Sequence, residues 1–172
     1  IEEIGIPISF KWGKCKLATA SYGHGITTTI LQIAKAYSII VNGGYKIHPT
    51  LIKKKDKIKR EKILNNNVSK KINPILRKIV TTKEGTAGLA NIEGYEVGGK
   101  TGTAEKVVVG GYTRKAKVNT FASIFPTSKP KYVMIVLLDE PKTSEDYIYK
   151  YKNKSGSYKG TPFNTAGWTS VE

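Results

Sequence analysis

Near its middle the chain reads Gly98-Gly99-Lys100-Thr101-Gly102-Thr103-Ala104-Glu105-Lys106. Lys100 brings a fixed positive charge. Thr101 and Thr103 bring hydroxyl donors suited to a carboxylate. Gly102 has no side chain, so an extended substrate backbone can lie close against a strand there. Other reactive residues are sparse. Cys15 is the single cysteine, so no intramolecular disulfide is possible. It lacks a histidine-containing constellation that would make it a nucleophile and reads as a small packed residue. His24 lies between two glycines without a carboxylate or cysteine at ligand spacing, so it reads as loop packing rather than a base or metal ligand. His48 precedes Pro49 and is assigned no role. The sequence predicts no metal and no cofactor.

These residues need elements to hold them. Residues 19 to 28 form a glycine-bearing loop. Thr29 with Gln32 makes a capping box. Ile30, Ile33, Ala34, Tyr37 and Val41 follow at helical spacing as one apolar face, and Asn42-Gly43-Gly44 stops that helix. Tyr45 to Ile52 alternates as a strand broken by Pro49. The lysine-rich run 53 to 62 reads as an exposed hairpin or loop. Asn73-Pro74 predicts an N-cap with proline in the first turn. It opens a helix that buries Ile75, Leu76, Ile79 and Val80 and ends near Gly85 to Gly88. Tyr95 to Ala104 is a strand carrying Lys100, 107 to 117 its turn, and Val118 to Pro126 the next strand, with Phe121, Ser123 and Phe125 on one face. Residues 127 to 130 turn. Tyr132 to Leu138 is apolar throughout, which predicts a central strand covered on both sides. Residues 142 to 165 read as loop. The fold class is α+β, an antiparallel sheet covered by helices. In it Lys100 to Thr103 are expected to face a cleft.

The 172 residues suffice for one domain with a core. The formal charge of +16 invites a nucleic-acid or anionic-surface reading. The excess is mostly dispersed lysine, with only three arginines, so no nucleic-acid partner is expected. No apolar run reaches membrane-spanning length, and no signal peptide is evident. The chain opens without methionine at Ile1-Glu2-Glu3-Ile4-Gly5, in mid-pattern, and is expected to be a piece of a longer protein.

Several blocks occur in a recognisable order: Thr19-Ala-Ser-Tyr-Gly-His-Gly-Ile, the helix through Leu31-Gln32-Ile33-Ala34 to Asn42-Gly43-Gly44, Glu84-Gly85-Thr86-Ala87, Gly94-Tyr95 to Glu105, and Thr165-Ala166-Gly167-Trp168. Together they resemble the C-terminal half of the transpeptidase domain of class B penicillin-binding proteins. The Gly-His-Gly loop is more like the septal, cell-division type. The Lys-Thr-Gly tripeptide is one of three motifs in the active sites of such enzymes. The resemblance implies that residues 1–172 are the C-terminal part of one transpeptidase domain with a β-lactamase-like fold. It implies serine acyl transfer: attack on the D-Ala-D-Ala carbonyl of a peptidoglycan stem peptide, release of D-Ala, and transfer to a neighbouring stem's amine. β-Lactams would acylate the same serine. Other division proteins would be partners, and the site would lie outside a bacterial inner membrane that anchors the full protein.

Carried onto this sequence, the resemblance makes Lys100 a catalytic residue that keeps the electrostatics of the site. Thr101, Gly102 and Thr103 bind the substrate, the two hydroxyls taking its carboxylate. The Thr103 backbone N–H is one of two oxyanion donors. The nucleophile does not appear. Ser128-Lys129-Pro130-Lys131 is the one Ser-x-x-Lys match, but Pro130 and the turn oppose the helix such a pair needs, and it follows Lys100 where the nucleophile should precede it. Tyr151-Lys152-Asn153 is likewise on the wrong side for the middle motif. Both motifs are expected upstream of Ile1. Ile30 departs from the proline usual there. Two alternatives stand: a basic module for nucleic acid or anionic cell-wall polymer, using Tyr147, Tyr149, Tyr151 and Tyr158 among lysines, or a non-catalytic scaffold derived from the enzyme.

Overall fold

The structure, a computed structural model, describes residues 13, 15–23, 25–53, 60–108, 111–152 and 158–172. His24 and residues 54–59 lie outside them. Among the described residues three α-helices, α1 (Lys16–Ala20), α2 (Ile30–Val41) and α3 (Asn66–Thr81), and a short 3₁₀ helix (Gly88–Ala90) precede strands β1 (Gly98–Val108), β2 (Gly111–Phe125) and β3 (Tyr132–Asp139), with β4 (Ile148–Lys152) and β5 (Tyr158–Pro162) last. The expected α+β class is the one observed.

The α2 start follows from its capping box. The Gln32 N–H donates to Thr29 Oγ1 at 3.2 Å, and the Thr29 N–H donates to Gln32 Oε1 at 2.9 Å. At the other end Gly43 and Gly44 take positive φ (94° and 89°), where L side chains are strained. Ile30 is exposed, so the packed face begins at Ile33.

The α3 helix starts earlier than Asn73-Pro74 suggests. Asn65 caps it, accepting from the Asn67 N–H at 2.9 Å, and Pro74 sits inside. An interior proline costs about 3 kcal/mol or more. Burying Leu76 and Val80 returns about 1.5–3 kcal/mol each. Ser69, one turn before the proline, also ties α3 to the end of α2. Its hydroxyl accepts from the Gly43 N–H at 2.9 Å and donates to the Ile40 carbonyl. Ile75 is 52% exposed and lies off the packed stripe.

The main sheet runs β1-β2-β3, all antiparallel. Its two faces have separate cores. Ile124 packs against Val41 and Leu76, with Tyr37, Ile40, Ile72 and Val133 around them. On the other face Phe121 joins Val80, Ala87, Ala90, Val97 and Val171.

Four expectations need correction. The stretch 107–117 is not a long turn. Both strands continue through it, and pairing jumps from Glu105↔Lys117 to Lys106↔Thr113, which leaves residues 114–116 as extra length in β2. Within the described sheet β3 is an edge strand, with Tyr132 60% and Met134 47% exposed. A continuous apolar run does not by itself separate a central strand from an edge. The stretch 142–165 is not all loop, since β4 and β5 pair as a two-stranded ribbon. Among the described residues Tyr45 to Ile52 shows one bridge rather than a strand, Tyr45↔Lys62, beside which Lys46 Nζ meets Glu61 Oε2 at 2.8 Å.

Candidate functional site

Lys100 to Thr103 lie on β1, the edge strand opposite β3. Their partners on β2 are Ala122, Phe121, Thr120 and Asn119 in turn. Alternation sends Lys100 and Gly102 to the face carrying Ile124, and Thr101 and Thr103 to the face carrying Phe121. As an edge strand, β1 aims alternate backbone groups away from β2.

The entry to β1 is tightly held. Arg77 of α3 donates to the Val97 carbonyl at 2.6 Å. Glu96 takes a positive φ of 47°. Its carboxylate accepts from the Ser128 hydroxyl at 2.5 Å and the Ser128 N–H at 3.3 Å. These bonds hold the Glu96 carboxyl below the usual carboxylate range. Burial opposes the shift, and the Arg77 charge adds to it. The Thr127 N–H donates to the Glu96 carbonyl at 3.0 Å.

Gly98 and Gly99 are there for space. A Cβ on Gly98 would stand 3.0 Å from the α3 backbone at Leu76 and Arg77 and 2.4 Å from Thr127 Cγ2. A Cβ on Gly99 would stand 2.6 Å from both the Phe121 ring and the Ala122 carbonyl oxygen. The pair lets α3 press one face of the strand while Phe121 covers the other.

Lys100 is exposed, and its Nζ donates to the Thr101 carbonyl at 2.7 Å. Thr101 is half-buried, its hydroxyl 2.7 Å from that of Thr86. A Cβ on Gly102 would stand 2.6 Å from Thr120 Oγ1. Glycine at this position therefore also serves packing between strands. Thr103 is exposed, and its Oγ1 accepts from the Ala166 N–H at 3.0 Å.

The segment bearing Ala166 is anchored beneath Thr103. Asn119, fully buried and paired with Thr103, donates through Nδ2 to the Asn164 carbonyl at 2.7 Å and to Thr169 Oγ1 at 2.6 Å. Lys117 Nζ donates to Asn164 Oδ1 at 2.8 Å. Trp168 stacks on Tyr147 at 4.5 Å, with its Nε1 donating to the Phe163 carbonyl at 2.6 Å. Gly167 in turn lies close to the Thr86 carbonyl, 3.1 Å from where a Cβ would be. Residues near 86, 101–103 and 165–167 thus converge on one end of β1.

Chemically the arrangement offers an exposed cation, two hydroxyls and the outward amides of an edge strand. Sequence reasoning gave Lys100, Thr101, Gly102 and Thr103 their roles. It missed Thr86, Asn119 and Ala166, although the blocks Glu84-Gly85-Thr86-Ala87 and Thr165-Ala166-Gly167-Trp168 stood out in order. Ser128 lies in the β2–β3 turn, off any helix, and its hydroxyl is engaged by Glu96. Tyr151 and Lys152 end β4, while Asn153 lies outside the described residues. Cys15 is exposed rather than packed as expected, and His48 is exposed. Among the described residues no group of three or more His, Cys, Asp or Glu could hold a metal ion.

Residues 1–164 match the model of the penicillin binding protein transpeptidase domain. The chain belongs to this transpeptidase family. Among similar proteins is a probable peptidoglycan D,D-transpeptidase FtsI of Caulobacter vibrioides, 32% identical over 170 residues, which cover 94% of this chain and 27% of that protein. The transpeptidase domain of penicillin-binding protein 3 from Burkholderia pseudomallei is 32% identical, with a TM-score of 0.70 over 76% of this chain and 40% of that one. Penicillin-binding protein 3 from Mycobacterium tuberculosis, complexed with ampicillin, is 25% identical, with a TM-score of 0.73 over 91% of this chain and 36% of that one. The transpeptidase chain described here thus spans about a quarter of the FtsI relative's length.

Proposed function

We propose that this chain supplies the Lys-Thr-Gly side of a peptidoglycan D,D-transpeptidase site, and that residues 1–172 are the C-terminal part of one transpeptidase domain. The carrying observation is the convergence of Thr86, Thr101, Thr103 and Ala166 on one face of an edge strand whose neighbouring Lys100 is exposed, its Nζ on the Thr101 carbonyl. In the proposed reaction a serine Oγ, from sequence upstream of Ile1, attacks the D-Ala-D-Ala carbonyl and gives its proton to a lysine one helical turn away. The tetrahedral oxyanion takes the Thr103 N–H and the serine's own N–H. The C–N bond breaks and D-Ala leaves with the proton. The amine of a second stem peptide then takes the acyl group and frees the serine.

Thr101 and Thr103 hold the substrate carboxylate, and Lys100 makes that end of the site positive. The likeness to a penicillin-binding protein complexed with ampicillin supports β-lactams as acylating ligands. Family membership favours this reading over a basic binding module. It also supports a site outside the inner membrane in a membrane-anchored protein that works with other division proteins. Among the described residues no helix is long and apolar enough to cross a membrane.

The test is fluorescent-penicillin labelling of the complete gene product. Wild type labels covalently, and Lys100→Ala labels far more slowly with an unchanged fold. Wild-type labelling rates in Lys100→Ala would refute the role given to Lys100.

A further inference from the structure

To hold a substrate carboxylate, the Thr103 hydroxyl must give it a hydrogen, and a hydroxyl has one hydrogen and two lone pairs. Where that hydrogen points depends on what else meets the oxygen. The Ala166 N–H donates to Thr103 Oγ1 at 3.0 Å. One lone pair is thereby filled and the hydrogen turns away from Ala166. Thr103 is exposed, so the hydrogen is open to a ligand.

The Ala166 N–H is aimed from the other end of its own peptide. The Thr165–Ala166 peptide is trans, so the Thr165 carbonyl and the Ala166 N–H point in opposite directions in one plane. Holding the carbonyl holds the N–H. The backbone N–H groups of Trp168 and Thr169 reach that carbonyl at 3.4 Å each, beyond the usual range of about 2.7–3.2 Å. The Thr169 hydroxyl reaches it at 3.1 Å. A side chain therefore makes the shortest bond to this carbonyl.

Asn119 sets the direction of the Thr169 hydroxyl. Its Nδ2 must face the Asn164 carbonyl, 2.7 Å away, because a carbonyl only accepts. The same Nδ2 donates to Thr169 Oγ1 at 2.6 Å, which leaves the Thr169 hydrogen for Thr165. Asn119 is fully buried, and its Oδ1 has no partner among the described residues. Burying that acceptor unpaired costs stability, while the amide's donors go to the segment bearing Ala166.

We propose that Thr169, held by Asn119, is a positioning residue for carboxylate recognition. Through the Thr165–Ala166 peptide it keeps a donor on Thr103 Oγ1 and so commits the Thr103 hydrogen to the substrate carboxylate. This rests on the reading of Thr103 as a carboxylate-binding residue.

The test compares acylation of the complete gene product by benzylpenicillin and by its methyl ester, followed by intact-protein mass spectrometry. The two share the lactam ring and differ at the carboxylate. The acid-to-ester rate ratio reads carboxylate recognition and cancels any change in the fraction folded, since an unfolded chain reacts with neither. Thr103→Val loses a hydrogen bond to a charged group, and its ratio should fall about tenfold or more. In Thr169→Val and Asn119→Leu the ratio should fall about two- to tenfold, as for a neutral bond. Thr169→Ser keeps the hydroxyl and should restore most of what Thr169→Val loses. Thr103→Val/Thr169→Val should match Thr103→Val alone, because Thr169 acts through Thr103. A wild-type ratio in Thr169→Val or Asn119→Leu, beside a lowered one in Thr103→Val, would overturn this inference and leave the reading of Thr103 standing. Losses that add in the double variant would do the same, as would a Thr169→Ser ratio no better than that of Thr169→Val. An unchanged ratio in Thr103→Val would overturn the reading and the inference together.

Discussion

Gly99→Ala should damage the site from a distance, and the structure sets the size of the effect. The added methyl would lie 2.6 Å from the Phe121 ring and 2.6 Å from the Ala122 carbonyl, where ordinary carbon contacts need about 3.5–4.0 Å. Roughly 1 Å must be found on both sides. The ring is buried, and the carbonyl belongs to the paired strand, so neither yields freely. Overpacking of this kind costs about 1–3 kcal/mol. Gly88→Ala is the matched control, because nothing lies within 4 Å of a Cβ there. Urea unfolding of the complete gene product should show the loss for Gly99→Ala and about ±0.5 kcal/mol for Gly88→Ala. A double-mutant cycle divides the strain. Phe121→Leu removes the far ring atoms but leaves the carbonyl in place. The Gly99→Ala/Phe121→Leu pair should therefore show a favourable coupling of about 0.5–3 kcal/mol without full rescue. Penicillin acylation should slow in Gly99→Ala, because Lys100 is the next residue. Wild-type stability and wild-type acylation in Gly99→Ala would refute the packing argument. Zero coupling would show that the ring is not what the methyl meets.

Further outcomes follow from other residues. Thr86→Val removes the hydroxyl that meets Thr101 at 2.7 Å. A neutral hydrogen bond worth about 0.5–1.5 kcal/mol translates to a two- to twelve-fold slower acylation, and an unchanged rate would contradict a positioning role. Lys53→Ala, in the lysine-rich run, should acylate as wild type, whereas a loss like that of Lys100→Ala would mean that charge alone matters. Glu96 has a carboxyl pKa depressed in the folded state, chiefly by the Ser128 bonds. Its stabilisation is thus present above the unfolded pKa and lost as pH falls through the folded one. Glu96→Gln should be less stable than wild type at pH 7, with the gap closing on acidification; a gap independent of pH in urea titrations would refute this. The 172-residue chain alone should take no covalent label from fluorescent penicillin, because nucleophile, base and oxyanion donors act as a unit. A stoichiometrically labelled serine, Ser128 above all, would overturn the placement of the nucleophile upstream of Ile1.

What was legible in the sequence was local. The Thr29–Gln32 capping box, the glycine stop after α2 and the strands read at 95–104, 118–126 and 132–138 carry short-range signatures, though not the extension of the first two strands through 105–117. The start of α3 shows the limit of such signals. Asn65 and Asn73-Pro74 are both credible caps, and what favours the earlier start is the Ser69 bond to α2, 29 residues back in sequence. Likewise the apolar run of β3 could not reveal that the described sheet ends with it. The stretch after 142 does alternate at Tyr149-Lys150-Tyr151-Lys152, but its density of charge outweighed that short signal in favour of loop, and only the pairing with 158–162 makes it a strand. At the proposed site, Lys100, Thr101 and Thr103 could be singled out because their chemistry is their own. Thr86 and Ala166 were not, since they act through contacts 15 and 63 residues apart in sequence.

That last separation bears on when the site comes into being. Ala166, which donates to Thr103, is made 63 residues after it. At about 5–20 residues per second of synthesis the gap is roughly 3–13 seconds. During that time β1 and β2 can already pair, but Asn119 is buried in the finished fold and its amide has yet to meet Asn164 and Thr169. Thr103 emerges early and is completed late. A nascent chain stalled between these points would carry the Lys-Thr-Gly strand without its closing turn, so the maturation of the site is timed by translation as well as by folding.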